Sequence, residues 1–308
     1  MTIAHQDAGR RLDKFLFHYL NNAPHSFIYK MLRKKRIKLN GKRAQGNELL
    51  AVGDELQFYI SPETLQSCRK ERIIEKARLL TGIIFEDENV LVVNKPPGLP
   101  SHGGMDGKDD HLLGRVLYYL QQSGAYKPDD TFVPALCNRL DVNTSGLVIC
   151  GKNLRTLQEI NALFADRGGV EKEYLTVAEG IVGITGEKKI LEGHYEKDEK
   201  TNTAYINRGK TNISAVTEYT VLAISHDKKH TLLAVCPITG RSHQIRAHLA
   251  SVGHPLAGDK KYGGASIPYG KAQLLHCRRL SLAAMTWKAN PPGDMAKCIE
   301  EWFGGKLQ

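Results

Sequence analysis

The chain has no apolar run of membrane-spanning length, and its first residues, MTIAHQDAGRR, contain no apolar signal core. Neither a spanning helix nor a secretory leader is therefore expected. The six cysteines, at 68, 137, 150, 236, 277 and 298, show no CxxC pair and no regular framework. Reduced thiols in a cytoplasmic protein are expected. No GxGxxG and no P-loop pattern occurs, which leaves a nucleotide cofactor without support. No internal repeat and no low-complexity tract stands out. Acid is missing where base is densest: residues 30–43 hold eight Lys or Arg and no Asp or Glu.

What is there has the balance of a globular protein. The chain is 41% hydrophobic and 25% charged, enough to bury a core, and its 308 residues suggest two domains or one large domain with an appendage. The net charge of +10 points to a polyanionic partner, although composition does not separate RNA from DNA or acidic lipid. Residues 1–60 carry 11 Lys/Arg against 5 Asp/Glu, so most of the excess lies in that short stretch. Charge runs are often solvated helix faces. Eight uncompensated cations repel one another unless an anion lies against them, which makes Lys30, Arg33, Lys34, Lys35, Arg36, Lys38, Lys42 and Arg43 candidate RNA contacts.

The first sixty residues parse as a compact unit. Leu12, Phe15, Leu16 and Tyr19 fall at helical spacing, and a second helix with Ser26 as its expected cap carries Phe27, Ile28, Met31 and Leu32. Asn40-Gly41 marks a hairpin, and residues 55–60 read as a strand. Residues 61–80 are polar and are expected to link this unit to a second one, 81–308. There, strands are expected at 90–94, 147–151, 173–179, 203–208, 215–224 and 231–236. Helices are expected at 111–123, 152–167 (ended by Gly168-Gly169) and 242–252. Consecutive strands without regular helical crossovers indicate an α+β domain with a mixed, largely antiparallel sheet and flanking helices.

The most informative stretch is residues 138–152, NRLDVNTSGLVICGK. It sets Asp141, beside Arg139, among turn-forming Asn143, Thr144, Ser145 and Gly146, just before a short buried strand. An isolated Arg-Leu-Asp is more often a turn acid paired with its neighbour. Other segments supply residue types that an active site needs. Tyr174 opens a strand at KEY, residues 172–174. TGRSHQIR, residues 239–246, runs from a turn into a helix with Ser242 as its expected cap and Arg246 in its first turns. His243, His248 and His254 are five and six residues apart, not the four that a helical zinc pair requires, so no metal is expected.

Two resemblances follow from these residues. GRRLDKFL at 9–16 and RIKLNGK at 36–42 resemble the alpha-L RNA-binding motif of a small-subunit ribosomal protein. The RLD and TSG segments, KEY, TGRSHQIR, NKPPG at 94–98 and GHP…GD at 253–259 together resemble the RluA-type RNA pseudouridine synthases. The residue before Arg139 is Asn138, where that family commonly has His, and Val142-Asn143 replaces a more charged pair. The resemblance implies isomerisation of uridine in structured RNA, with the base leaving its ribose and rejoining through a ring carbon. It implies Asp141 as the essential carboxylate, either nucleophile or base. Arg246 is then its cation and Tyr174 the ring that stacks on the base, with its hydroxyl available to protons. Arg139, Arg241 and His243 lie against the RNA. No cofactor is needed, and a monomer acting on large-subunit ribosomal RNA is expected. Transfer RNA remains an alternative substrate; a non-catalytic assembly factor or a nucleoside hydrolase are alternative roles.

Overall fold

The computed structural model describes residues 1–4, 7–70, 76–104, 110–128, 130–166, 169–207 and 211–305. The N-terminal unit comprises α1 (Leu12–Tyr19), α2 (His25–Arg33), β1 (Ile37–Leu39), β2 (Lys42–Arg43), β3 (Leu56–Phe58) and α3 (Pro62–Ser67). The three strands form an antiparallel sheet in the order β2-β1-β3. Asn40 and Gly41, both at positive φ (50° and 75°), make the two-residue turn between β1 and β2, the geometry a right-handed hairpin requires. Leu12, Phe15, Leu16, Ile28, Leu32, Ile37 and Leu56 bury this unit's core. Pro24, not Ser26, occupies the N-cap of α2, because its fixed φ of −59° already suits helix entry. The first part of the expected linker is ordered: α3 is capped by Ser61, and Leu65 and Cys68 pack onto the same core.

The second unit comprises β4 (Ile83–Glu86), β5 (Val90–Lys95), α4 (Leu112–Gln122), β6 (Ala135–Leu136), β7 (Ser145–Gly151), α5 (Leu154–Ala165), β8 (Val170–Glu179), β9 (Lys188–Asp198), β10 (Thr203–Ile206), β11 (Ser214–Ile224), β12 (His230–Pro237), α6 (Gln244–Ser251), β13 (Leu275–Leu282), β14 (Met285–Lys288) and α7 (Gly293–Phe303). An eleven-stranded sheet runs in the order β10-β9-β11-β12-β8-β13-β7-β5-β4, with β14 on β13 and β6 on β7. Only the β13–β7 pair is parallel among the described residues, so the α+β, largely antiparallel expectation holds. Helix α5 ends at Ala165, ahead of the expected Gly168-Gly169 stop; Gly168 lies outside the described residues, as do Arg167 and Arg208 at the ends of two expected elements.

Sheet centre and sheet flank differ as burial dictates. All seven residues of β7 are buried, the pattern of a strand covered on both faces. Along β11 buried and part-buried positions alternate, with Ala215, Thr217, Tyr219, Val221 and Ala223 inward. Where β7 starts beside β13, a Cβ at Gly146 (φ 120°) would sit 2.7 Å from Cys277 Cα, so only glycine lets the two backbones meet. The two units touch through a buried polar contact: the Arg10 guanidinium donates to the Thr131 carbonyl at 3.2 Å, and the Thr131 hydroxyl donates to Asp7. No helix of the described residues is long and apolar enough to cross a membrane.

Candidate active site

Asp141 sits on the loop between β6 and β7, and that loop is gripped from both sides. The Thr144 N–H donates to the Asp141 carbonyl at 3.1 Å, closing a turn over Val142 and Asn143. Asn138 bridges to β7, its amide donating to the Leu147 carbonyl (3.1 Å) and its oxygen accepting from Ile149 N–H (2.9 Å). The residue that departs from the family pattern thus fixes where the loop leaves the sheet. From the other side, Gly98 N–H and Lys95 Nζ both donate to the Val142 carbonyl, at 2.9 and 3.0 Å. Lys95 also donates to the carbonyls of Pro96 and Leu99, at 3.0 and 2.7 Å. Three acceptors match the three donors of an ammonium, although burial pulls this amine down to about 7. Ser101 completes the grip, donating to the Leu140 carbonyl at 2.8 Å and accepting from its N–H at 3.2 Å.

Helix α6 brings the cation. Its N-cap is His243, held in the left-handed region at φ 54°, and no side chain caps it, so Ser242 does not play the part its sequence position suggests. Gln244 takes over the ordering of the turn. Its Oε1 accepts from the Thr239 hydroxyl (2.7 Å) and Arg241 N–H (3.0 Å), while its Nε2 donates to the Val216 carbonyl and Thr217 Oγ1, both at 2.9 Å. Further along the helix, Arg246 is buried and forked onto Asp259, with Nε–Oδ2 at 2.6 Å and Nη2–Oδ1 at 2.8 Å. Its remaining Nη1 donates to Asp141 Oδ2 at 3.3 Å. The Tyr262 ring lies under the guanidinium, with its centroid 4.9 Å away.

Tyr174, on β8, is buried, and burial holds its phenol proton well above the usual range. The Cys277 thiol on the adjacent strand and the Asp141 charge add to the rise. Helix α6 therefore brings Arg246 onto Asp141, with Tyr174 near enough to feel the Asp141 charge, while the Asp141 side chain stays 29% exposed at the mouth. A carboxylate set between a buried cation and solvent, beside an aromatic ring, is equipped to act on an entering ligand.

The other sequence candidates divide by location. His243 joins the site, its Nε2 3.6 Å from Asp141 Oδ2. Arg139 and Arg241 are exposed in the flanking segments. The basic run stays on the N-terminal unit. Lys30, Arg33, Lys34, Lys35, Arg36, Lys42 and Arg43 belong to it, and Lys38 is half-buried with its amine over the Tyr59 ring. The nearby acids Asp7 and Asp13 pair instead with Arg10 and Arg11. The three histidines considered for metal separate: His248 meets the Thr217 hydroxyl at 2.7 Å and His254 the Glu179 carbonyl at 2.8 Å, with no shared ion site among the described residues. Asp259, Tyr262, Gln244 and Lys95 were not singled out from sequence, although GD at 258–259 and NKPPG at 94–98 lay in the matched motifs.

Sheet, loop and α6 define a carboxylate–arginine site on a mixed α+β scaffold, next to a small basic module. Residues 89–251 match the RNA pseudouridylate synthase family, and residues 10–56 match the S4 domain. Similar proteins include ribosomal large subunit pseudouridine synthase C of Vibrio vulnificus, 32% identical over 83% of this chain and 77% of that one. The protein of that name from Vibrio parahaemolyticus is 30% identical over 96% of this chain and 88% of its own. The one from Rickettsia bellii is 33% identical over 89% of each. Among solved structures, human RNA pseudouridylate synthase domain containing 4 shares the fold, with a TM-score of 0.56, 24% identity and coverage of 71% of this chain and 92% of that one. The chain belongs to the RNA pseudouridylate synthase family, and its activity is that of an isomerase acting on RNA.

Proposed function

We propose that this synthase modifies large-subunit ribosomal RNA, with Asp141 as the essential carboxylate, Arg246 as its cation and Tyr174 as the ring against the target base. The observation that carries the assignment is the Arg246–Asp141 contact at 3.3 Å, in which a buried guanidinium pairs with one carboxylate at the mouth of the site. The names of the relatives support the RNA: those proteins act on the large ribosomal subunit. The division of labour follows the charge, with residues 1–60 gripping RNA and residues 81–308 carrying out the reaction.

Uridine becomes pseudouridine when the bond from ribose to the ring nitrogen breaks and one to a ring carbon forms. That carbon loses a proton and the nitrogen gains one, so no electrons enter or leave and no cofactor is consumed. Asp141 acts at the sugar, as nucleophile or as base. Tyr174 stacks on the freed base, and its hydroxyl handles the departing proton. The target uridine must first leave its stack, at a cost of a few kcal/mol. Arg139 fills the space it vacates, while Arg241 and the basic run contact the strand. Phosphate contacts from these cations offset the cost. Action as a monomer in the cytoplasm belongs to the same reading, with all the named site residues on one chain and the relatives acting on ribosomal RNA. Mapping pseudouridine in total RNA from cells with and without the gene tests the reading. A site missing from large-subunit RNA is expected; a site missing only from transfer RNA would move the substrate.

A further inference from the structure

We propose that Tyr262 and His243 form a relay that fixes the orientation of Asp141, leaving its Oδ1 as the oxygen that meets the nucleotide; the proposal rests on Asp141 being the reactive carboxylate. The relay starts at the backbone. Ala204 N–H donates to the Tyr262 hydroxyl oxygen at 2.8 Å, and His243 Nδ1 lies 3.0 Å from that oxygen. Among the described residues Nδ1 is the acceptor within reach of the phenol's own proton, so that proton points to Nδ1. Burial supports this by raising the phenol to about 12, so that the proton stays on Tyr262.

The other end of the imidazole gives the same answer. His243 Nε2 faces Asp141 Oδ2 at 3.6 Å. A lone pair there would repel the carboxylate, so Nε2 carries the hydrogen and Nδ1 does not. Burial, with Arg246 and Lys261 nearby, lowers the imidazole pKa and keeps the ring neutral, although Asp141 and Asp259 pull the other way. The left-handed backbone of His243 (φ 54°) turns the ring to span the two partners, a strain expected where a side chain must be aimed. The 3.6 Å separation is loose, and such contacts tighten when substrate arrives. Arg246 Nη1 meets the same oxygen at 3.3 Å. One hydrogen bond and one looser contact therefore fall on Oδ2, and Oδ1 accepts no hydrogen bond from a described residue. His243 and Tyr262 are positioning residues in this arrangement.

The experiment reads side-chain nitrogen–proton correlations of His243 in the free full-length protein, assigned by their loss in His243→Gln. The proton is expected on Nε2 in the native chain, and on a mixture of both nitrogens in Tyr262→Phe, which keeps the ring under Arg246. These spectra need no RNA, so they judge the relay whatever becomes of the catalytic reading. In single-turnover assays, Tyr262→Phe should lower the chemical rate by roughly 10- to 100-fold with RNA affinity unchanged. His243→Gln should recover part of the rate lost in His243→Ala, because its amide N–H reaches toward the same oxygen. The double variant His243→Ala/Tyr262→Phe should be no slower than His243→Ala, since Tyr262 acts through His243. A proton on Nδ1 in the native chain, or fully additive losses in the double variant, would overturn the proposal.

Discussion

Arg246 commits two of its nitrogens to Asp259, at 2.6 and 2.8 Å, and offers the next to Asp141 at 3.3 Å. The guanidinium is therefore aimed before substrate arrives, because a buried carboxylate fixes its plane and the Tyr262 ring supports it. Asp141 meets a preorganised cation rather than recruiting a mobile one.

Removing Asp259 leaves that cation with only its longer contact to Asp141. Asp259→Ala is expected to lower the unfolding free energy by about 3–5 kcal/mol, the usual result of breaking a buried pair from one side. Urea unfolding measures this. A loss of less than about 1 kcal/mol would show that Arg246 is solvated or otherwise compensated.

Two histidines set an acid limit on stability. His276 shares a hydrogen bond with the Ser145 hydroxyl at 3.0 Å and meets the Ala289 carbonyl at 2.9 Å, and His248 meets Thr217; burial lowers both from 6.5 to about 4. As pH falls below 6.5 the unfolded chain takes up protons that the folded chain refuses until about 4. Their stabilising contribution is complete above 6.5 and is lost as pH falls through about 4. The urea midpoint should drop across that window and drop less in His276→Gln. Equal slopes in variant and native chain would show that His276 plays no part.

Tyr174→Phe keeps the ring and removes only the buried hydroxyl. Product formation should fall by about 10² or more, the usual size of a proton-transfer contribution, with RNA affinity unchanged. Measured single-turnover rates equal to native would leave the phenol a stacking surface alone.

The architecture is largely readable in the sequence because periodicity and turn chemistry agree. Asn40-Gly41 makes its hairpin, β7 and β11 show their burial patterns, and α5 is capped by Asn153. What escapes is structure with little periodic signal. Strand β9, with Gly193 inside and mostly part-exposed residues, has too weak an alternation to register. Neither β13 nor α7 is evident, and in β13 the paired Arg278 and Arg279, both bound to Glu173, interrupt the apolar run. Within the site, Asp141, Tyr174 and Arg246 are legible as motif residues. Asp259, Tyr262 and Lys95 are not, because what they do depends on partners 13, 58 and 47 positions away in the chain.

The basic run should act as a phosphate grip. Replacing Arg33, Lys34, Lys35 and Arg36 with Gln should make the slope of log affinity against log salt shallower by about 3, at roughly 0.7–0.9 per phosphate contact. Filter-binding across a salt series measures this, and an unchanged slope would show that the run is merely solvated.

Everything proposed for the site depends on Asp141 performing the isomerisation. Pseudouridine formation by Asp141→Ala and Asp141→Asn on large-subunit ribosomal RNA, with binding followed in the same samples, tests that dependence. No product is expected, with RNA affinity close to native. Appreciable turnover by Asp141→Ala would contradict the assignment.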